Sequence, residues 1–149
     1  MTRPAEVRAK EDAHAGTAFA DYRVGERVGP LHFQLEPAFI DEYIDAAGID
    51  PGLYRLGGRA AAPPQVLTLF LMGTLHRRYP PLPGTVMAAL EVELRGPIWR
   101  DEVTHIVSEG MIEAKSERRG RRYVTWSADY RRADGPALAT ITNTFVVPG

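Results

Sequence analysis

The chain has 149 residues, with 18 Lys plus Arg against 19 Asp plus Glu and a formal net charge of −1, so no global charge draws it to nucleic acid or to a membrane surface. It holds no cysteine, which excludes disulfides and thiolate metal sites. Its length suits one domain with a sizeable core.

The opening MTRPAEVRAKEDAHAG is charged and unpatterned. It reads as a flexible arm over residues 1–20, ahead of a single domain over 21–149. No apolar run of a secretory signal occurs in it, and the expected location is cytoplasmic. After Tyr22 the glycine-punctuated VGERVGP leads to Leu31, Phe33 and Leu35, which alternate with His32 and Gln34 as in a short strand. Glu36-Pro37 opens a helix on which Phe39, Ile40, Tyr43, Ile44 and Ala47 share one face, and Gly48 stops it. Residues 49–59, IDPGLYRLGGR, have the composition of a loop, a usual place for chemistry.

The stretch AAAPPQVLTLFLMGTL, Ala60 to Leu75, contains no charge and is too short to cross a membrane. It predicts a buried helix from about Pro64 to Arg78, because proline suits a first turn whose N–H groups have no partner in the helix. YPPLPG then turns the chain. Four amphipathic strands follow, over 86–95, 102–115, 121–132 and 138–147, separated by GPIWRD, SERRGR and RADGPA. The breaks predict an antiparallel meander, and the whole is α+β, a long sheet wrapped around one hydrophobic helix.

In this order the chain resembles the MaoC-like dehydratases, which have the hot-dog fold. Four passages carry the resemblance: YRVGERVGP, FIDEYIDAAGIDPGLY, AAAPPQVLTLF and LPGTVMAALEVELRGPIWRDEV. Ala62-Pro63-Pro64 and the loop Pro51–Tyr54 are most similar to the subgroup described as the N-terminal half of the fungal fatty-acid-synthase dehydratase. The resemblance implies a tunnel for an acyl group carried as a thioester on coenzyme A or an acyl carrier protein, reversible addition of water to an enoyl thioester, and no further cofactor. It also implies pairing into a homodimer, or a heterodimer with a catalytic hot-dog subunit, through the open sheet edge.

Active members of that family carry Gly-Asp-x-Asn-Pro-x-His, in which the Asp and His handle water. Here the matching stretch is Gly48-Ile49-Asp50-Pro51-Gly52-Leu53-Tyr54, so the Asp place holds Ile49 and the His place Leu53 or Tyr54. Asp50 is the nearest carboxylate and Tyr54 the nearest phenol, and these two are the candidate catalytic residues. An Asp before Pro is more often a turn former, which is the favoured reading of Asp50, and Tyr54 can equally pack its ring on a sheet. The candidate substrate-binding residues lie at the start of the buried helix: Pro64, then Gln65, Val66 and Leu67, whose N–H groups either polarise a thioester carbonyl or meet backbone and water.

The other polar features read more plainly. His14, His32, His76 and His105 show no metal-ligand spacing, so no metal is expected. Arg77-Arg78 and Arg118, Arg119, Arg121 and Arg122 read as a helix end and a solvated turn before any phosphate site. Tyr123, Trp126 and Tyr130 read as strand packing rather than a nucleic-acid platform. Two functional classes remain: a hydratase or dehydratase, alone or as a subunit, and a non-catalytic acyl-binding subunit that completes a partner. A repurposed cyclase or isomerase using Tyr54 or Asp50 is a third.

Overall fold

The computed structural model describes residues 3–7 and 15–149. Much of the expected arm, residues 1–2 and 8–14 with His14, lies outside the described residues. What is described of it is not free. A helical turn α1 (Pro4–Val7) follows Arg3, which pairs with Glu42, and Thr17 donates both its N–H (2.9 Å) and its hydroxyl (2.8 Å) to the Pro80 carbonyl. Tyr22 stacks on Tyr79 with centroids 4.8 Å apart, and the Tyr79 hydroxyl donates to Glu26.

Strand β1 (Arg27–Leu35) leads into α2 (Pro37–Ala47), whose first turn begins on Pro37 and which buries Phe39, Ile40 and Ile44. A minimal hairpin, β2 (Arg55–Leu56) and β3 (Arg59–Ala60), precedes the central segment. That segment departs from the expectation: Pro64–Leu67 is a 3₁₀ turn, and the α-helix proper, α3, spans Thr68–His76. Pro63 and Pro64 carry no N–H, and the turn they open closes by i+3 bonding, as in Val66 N–H to Pro63 O at 3.1 Å. The rest of the chain forms β4 (Val86–Leu94), β5 (Thr104–Arg118), β6 (Arg121–Arg132) and β7 (Ala137–Val147).

The sheet order is β1-β5-β6-β7-β4, with every pairing antiparallel. This corrects the four-strand meander. β5, β6 and β7 follow one another through short turns, but β4 pairs with β7 and forms the far edge. The reason lies in the connection: residues 95–103, with Gly96 and Pro97, are no tight hairpin, and they carry the chain across the end of the sheet instead of back alongside β4.

The sheet curls around α3, which is predominantly apolar and buries Phe70, Leu71, Gly73, Thr74, Leu75 and His76. Phe70 of α3 stacks on Phe33 of β1 (centroids 4.1 Å apart) and meets Phe39 of α2 edge-on (5.8 Å). The Thr74 and Ser108 hydroxyls are fully buried and bond at 2.6 Å, fixing α3 to β5. Gly110 has no side chain because the Trp126 ring lies over it: a Cβ there would come within 2.6 Å of the indole. At the other edge, a bulge between Met87 and Ala89 shifts the β4 register, and the buried Asn143 side chain of β7 donates to the Ala89 carbonyl at 3.1 Å.

Candidate functional site

The site begins where α2 ends. Gly48 takes the left-handed conformation (φ 63°) and donates to the Asp45 carbonyl, while Ile49 N–H reaches Ile44 O at 3.0 Å. Asp50 follows at once. Its carboxylate accepts the Gly52 N–H at 2.9 Å and caps the 3₁₀ turn Pro51–Leu53. This is the turn-forming use that short-range sequence chemistry favours. The side chain is exposed and does not line the cleft described next.

Tyr54 is placed differently. Its carbonyl accepts Ala61 N–H at 2.9 Å, which closes the base of the β2–β3 hairpin. Its ring lines a cleft of about 460 Å³. Leu53 and Leu56 share that wall, Ala62, Pro64 and Leu67 from the start of the central segment form the second, and Leu94 to Ile98 with Leu138 form the third. Two guanidinium groups, Arg55 and Arg95, are the charged members of the lining, which among the described residues contains no carboxylate and no imidazole. Arg55 also donates to the Gly58 carbonyl, and Arg95 pairs with Glu93 at 3.2 Å.

The four expected binding residues are thus divided. Pro64 and Leu67 form cleft wall. Val66 is fully buried in the core and its N–H is consumed by Pro63 O. Gln65 is exposed, and its Nε2 donates to the Tyr54 hydroxyl across a long 3.4 Å. That contact joins one expected catalytic residue to one expected binding residue, whereas Asp50 remains outside. Burial, and secondarily the nearby Tyr54, raise the Tyr43 phenol above its ordinary value.

The third wall is held by a latch that sequence reasoning missed. Ala62 N–H donates to Ile98 O (2.7 Å) and Arg100 N–H to Ala60 O (3.1 Å). Arg59 lies over Trp99, 4.4 Å from the ring centroid, and forks onto Asp101 (2.6 Å) and Glu102 (3.0 Å). Hydrogen bonds from Arg59 hold both carboxyls below the usual carboxylate range. The signal was in GPIWRDE, which combines an aromatic with two acids in a supposed turn, but its meaning depended on Arg59, forty residues away in the fold's other wall.

The remaining candidates lie elsewhere. His32 and His105 are exposed on neighbouring strands, away from the helix, and His76 is buried at the end of α3. Among the described residues no group of three His, Asp or Glu is arranged to hold a metal, and no helix is long and apolar enough to cross a membrane. Arg118, Arg119, Arg121 and Arg122 form the β5–β6 turn at the opposite end of the sheet from the cleft. There Arg122 meets Glu117 at 3.6 Å and Arg118 covers Tyr123. Chemically, the cleft can shelter an apolar chain from water and offer a phenol and two cations. Among the described residues it holds no paired base and acid for moving water.

No family model matches the sequence, and no curated protein is similar to it. Solved structures do match in fold. A monoamine oxidase regulatory protein from Archaeoglobus superposes with a TM-score of 0.74 at 13% identity, covering 91% of this chain and 96% of that one. The HadBC (3R-hydroxyacyl-ACP dehydratase) complex from Mycobacterium tuberculosis gives 0.69 at 18% identity, covering 83% and 96%. A MaoC-like dehydratase from Rhodospirillum rubrum gives 0.68 at 22%, covering 89% and 97%. The chain therefore has the hot-dog fold, and its structural neighbours include MaoC-like dehydratases.

Proposed function

We propose that the chain is an acyl-thioester-binding hot-dog subunit of the MaoC-like hydratase/dehydratase type, and that a second, catalytic hot-dog chain supplies the acid and base for adding or removing water. One observation carries this reading: the cleft has apolar walls and a phenol, while the carboxylate nearest in sequence to the expected catalytic position, Asp50, is spent on capping a turn outside it. Within the type, the Ala62-Pro63-Pro64 start of the central segment favours the N-terminal fungal fatty-acid-synthase dehydratase-like subgroup.

In this reading the acyl chain lies against Leu67, Leu94 and Ile98, and the Tyr54 hydroxyl donates to the thioester oxygen. Arg55 and Arg95 face the anionic carrier, whether coenzyme A or a carrier protein. That one structure similar in fold is a complex, HadBC (3R-hydroxyacyl-ACP dehydratase), supports pairing with another chain.

The test is equilibrium binding of a saturated short acyl-coenzyme A to the purified chain, with loss of trans-2-enoyl-coenzyme A absorbance measured beside it. Binding without turnover is expected. Tyr54→Phe should weaken binding by about 2- to 10-fold, the worth of one hydrogen bond, and Asp50→Asn should leave it unchanged. Absence of binding overturns the proposal. Turnover by the chain alone would overturn the need for a partner: a product heavier by one water marks a self-sufficient hydratase, and a product of unchanged mass marks the cyclase or isomerase reading, for which the Tyr54–Gln65 contact is the favouring observation.

A further inference from the structure

The walls of the cleft are sewn together by the chain's own backbone. Ala61 N–H bonds the Tyr54 carbonyl (2.9 Å) and Ala62 N–H the Ile98 carbonyl (2.7 Å), which joins the second wall to the first and to the third. Within the third, the Arg95 and Gly96 N–H groups both reach the Leu138 carbonyl, at 2.9 and 3.2 Å. Exposure sorts the lining by depth. Ala61, Ala62, Leu67, Ile98 and Leu138 are at most 7% exposed and form a floor, whereas Leu53, Leu56 and Leu94 are 54–72% exposed and form a rim. Ala62, Leu67, Ile98 and Leu138 belong to the same packed core as Phe33, Phe70 and Tyr130. The family resemblance implies a tunnel; this cleft is instead a basin with a closed bottom.

A tunnel selects by length and a basin by volume. In a tunnel each further methylene is buried and tightens binding about fourfold. In a basin that gain ends where the chain meets the floor, and a longer chain must fold back or emerge into water. The volume of about 460 Å³ has room for no more than roughly 15 groups the size of a water molecule. A straight chain fills one strip of that space and leaves the other walls without contacts, whereas a branched or ring-bearing group with as many carbons meets all three. The floor also decides polarity. Its side chains are Ala, Leu and Ile, and the Ala61 and Ala62 N–H groups and the Ile98 and Leu138 carbonyls are already bonded to one another's walls, so a polar end would be buried there without a partner. The polar groups lie higher: the Tyr54 hydroxyl meets the exposed Gln65, and Arg55 and Arg95 are exposed.

We infer that the cleft selects a compact hydrocarbon acyl group, branched or carrying a ring, over a long straight one, and that Ala62, Ile98 and Leu138 set this limit as its floor. The inference rests on the acyl-thioester reading and names the acyl class for that same site. The thioester lies by the Tyr54 hydroxyl, the carrier beyond the rim, and the far end of the acyl group on the floor.

The test is titration of the purified chain with four saturated acyl-coenzyme A probes: butanoyl, octanoyl, dodecanoyl and cyclohexylacetyl, the last having as many acyl carbons as octanoyl. Cyclohexylacetyl is expected to bind about 3-fold or more tightly than octanoyl. Dodecanoyl should gain no more than about 3-fold over octanoyl, where a tunnel would give about 100-fold or more across the added methylenes. Ala62→Leu, which raises the floor, should cut the preference for cyclohexylacetyl over butanoyl about 10-fold. Octanoyl as tight as cyclohexylacetyl or tighter, or affinity that climbs with every methylene to dodecanoyl, overturns the inference and leaves the acyl-binding reading standing. An unchanged preference in a folded Ala62→Leu chain overturns it too; if that variant does not fold, the wild-type series decides alone. Binding of none of the four probes overturns the acyl-binding reading and this inference with it.

Discussion

The two edges of the sheet present similar inward-facing residues and meet opposite fates. On β1, Val28, Leu31, Phe33 and Leu35 are at most 4% exposed, closed over by α2 and α3; on β4, Met87, Leu90, Val92 and Leu94 remain open. Alternation along a strand states which side is apolar. What covers that side is settled by the rest of the molecule, and for β4 the described residues provide no cover.

The comparison can be broken hardest at the aromatic stack. Phe70→Ala, under β1, should cost about 3–5 kcal/mol in urea unfolding, whereas Leu90→Ala on β4 should change stability by less than about 0.5 kcal/mol in the isolated chain. Equal losses would mean that β4 is covered after all. Smaller in effect is Ser108→Ala, which leaves the buried Thr74 hydroxyl unpaired on the β1 side of the helix and should cost about 1–3 kcal/mol, measured the same way.

Smallest is the acid response of the latch at the β4 end. Arg59 depresses Asp101 and Glu102 in the folded state, so their contribution is fully present above the unfolded carboxylate values and is lost as pH falls through the lower folded ones. Exchange of the Ala62 and Arg100 amide protons, corrected for intrinsic pH dependence, should be steady at neutral pH and accelerate at acid pH. Arg59→Ala should show the fast behaviour throughout.

Much of the fold was legible because its signals are local. Pro37, the spacing of Phe39, Ile40 and Ile44, and Gly48 bound α2 within a residue, and the charge-free run around Phe70 marks the core helix. The position of β4 was not legible. Its alternation fits β5 or β7 as a neighbour equally well, and only the path of residues 95–103 separates the two. In the site, the turn role of Asp50 could be read from Asp-Pro-Gly, but the third wall could not, because Gly96 to Ile98 become a wall only when Ala62 bonds Ile98 and Arg59 holds Trp99 and Asp101 just beyond.

The Asn143 side chain bears on more than its own strand. By holding the Ala89 carbonyl beside the bulge, it ties the phase of β4 to β7 with a contact that does not repeat along the ladder, so a two-residue slip that would keep every apolar side chain facing inward still loses it. The edge is therefore a ruler with a fixed zero, and Leu94 and Arg95, at its far end, have their place in the cleft wall set by an amide that does not line the cleft.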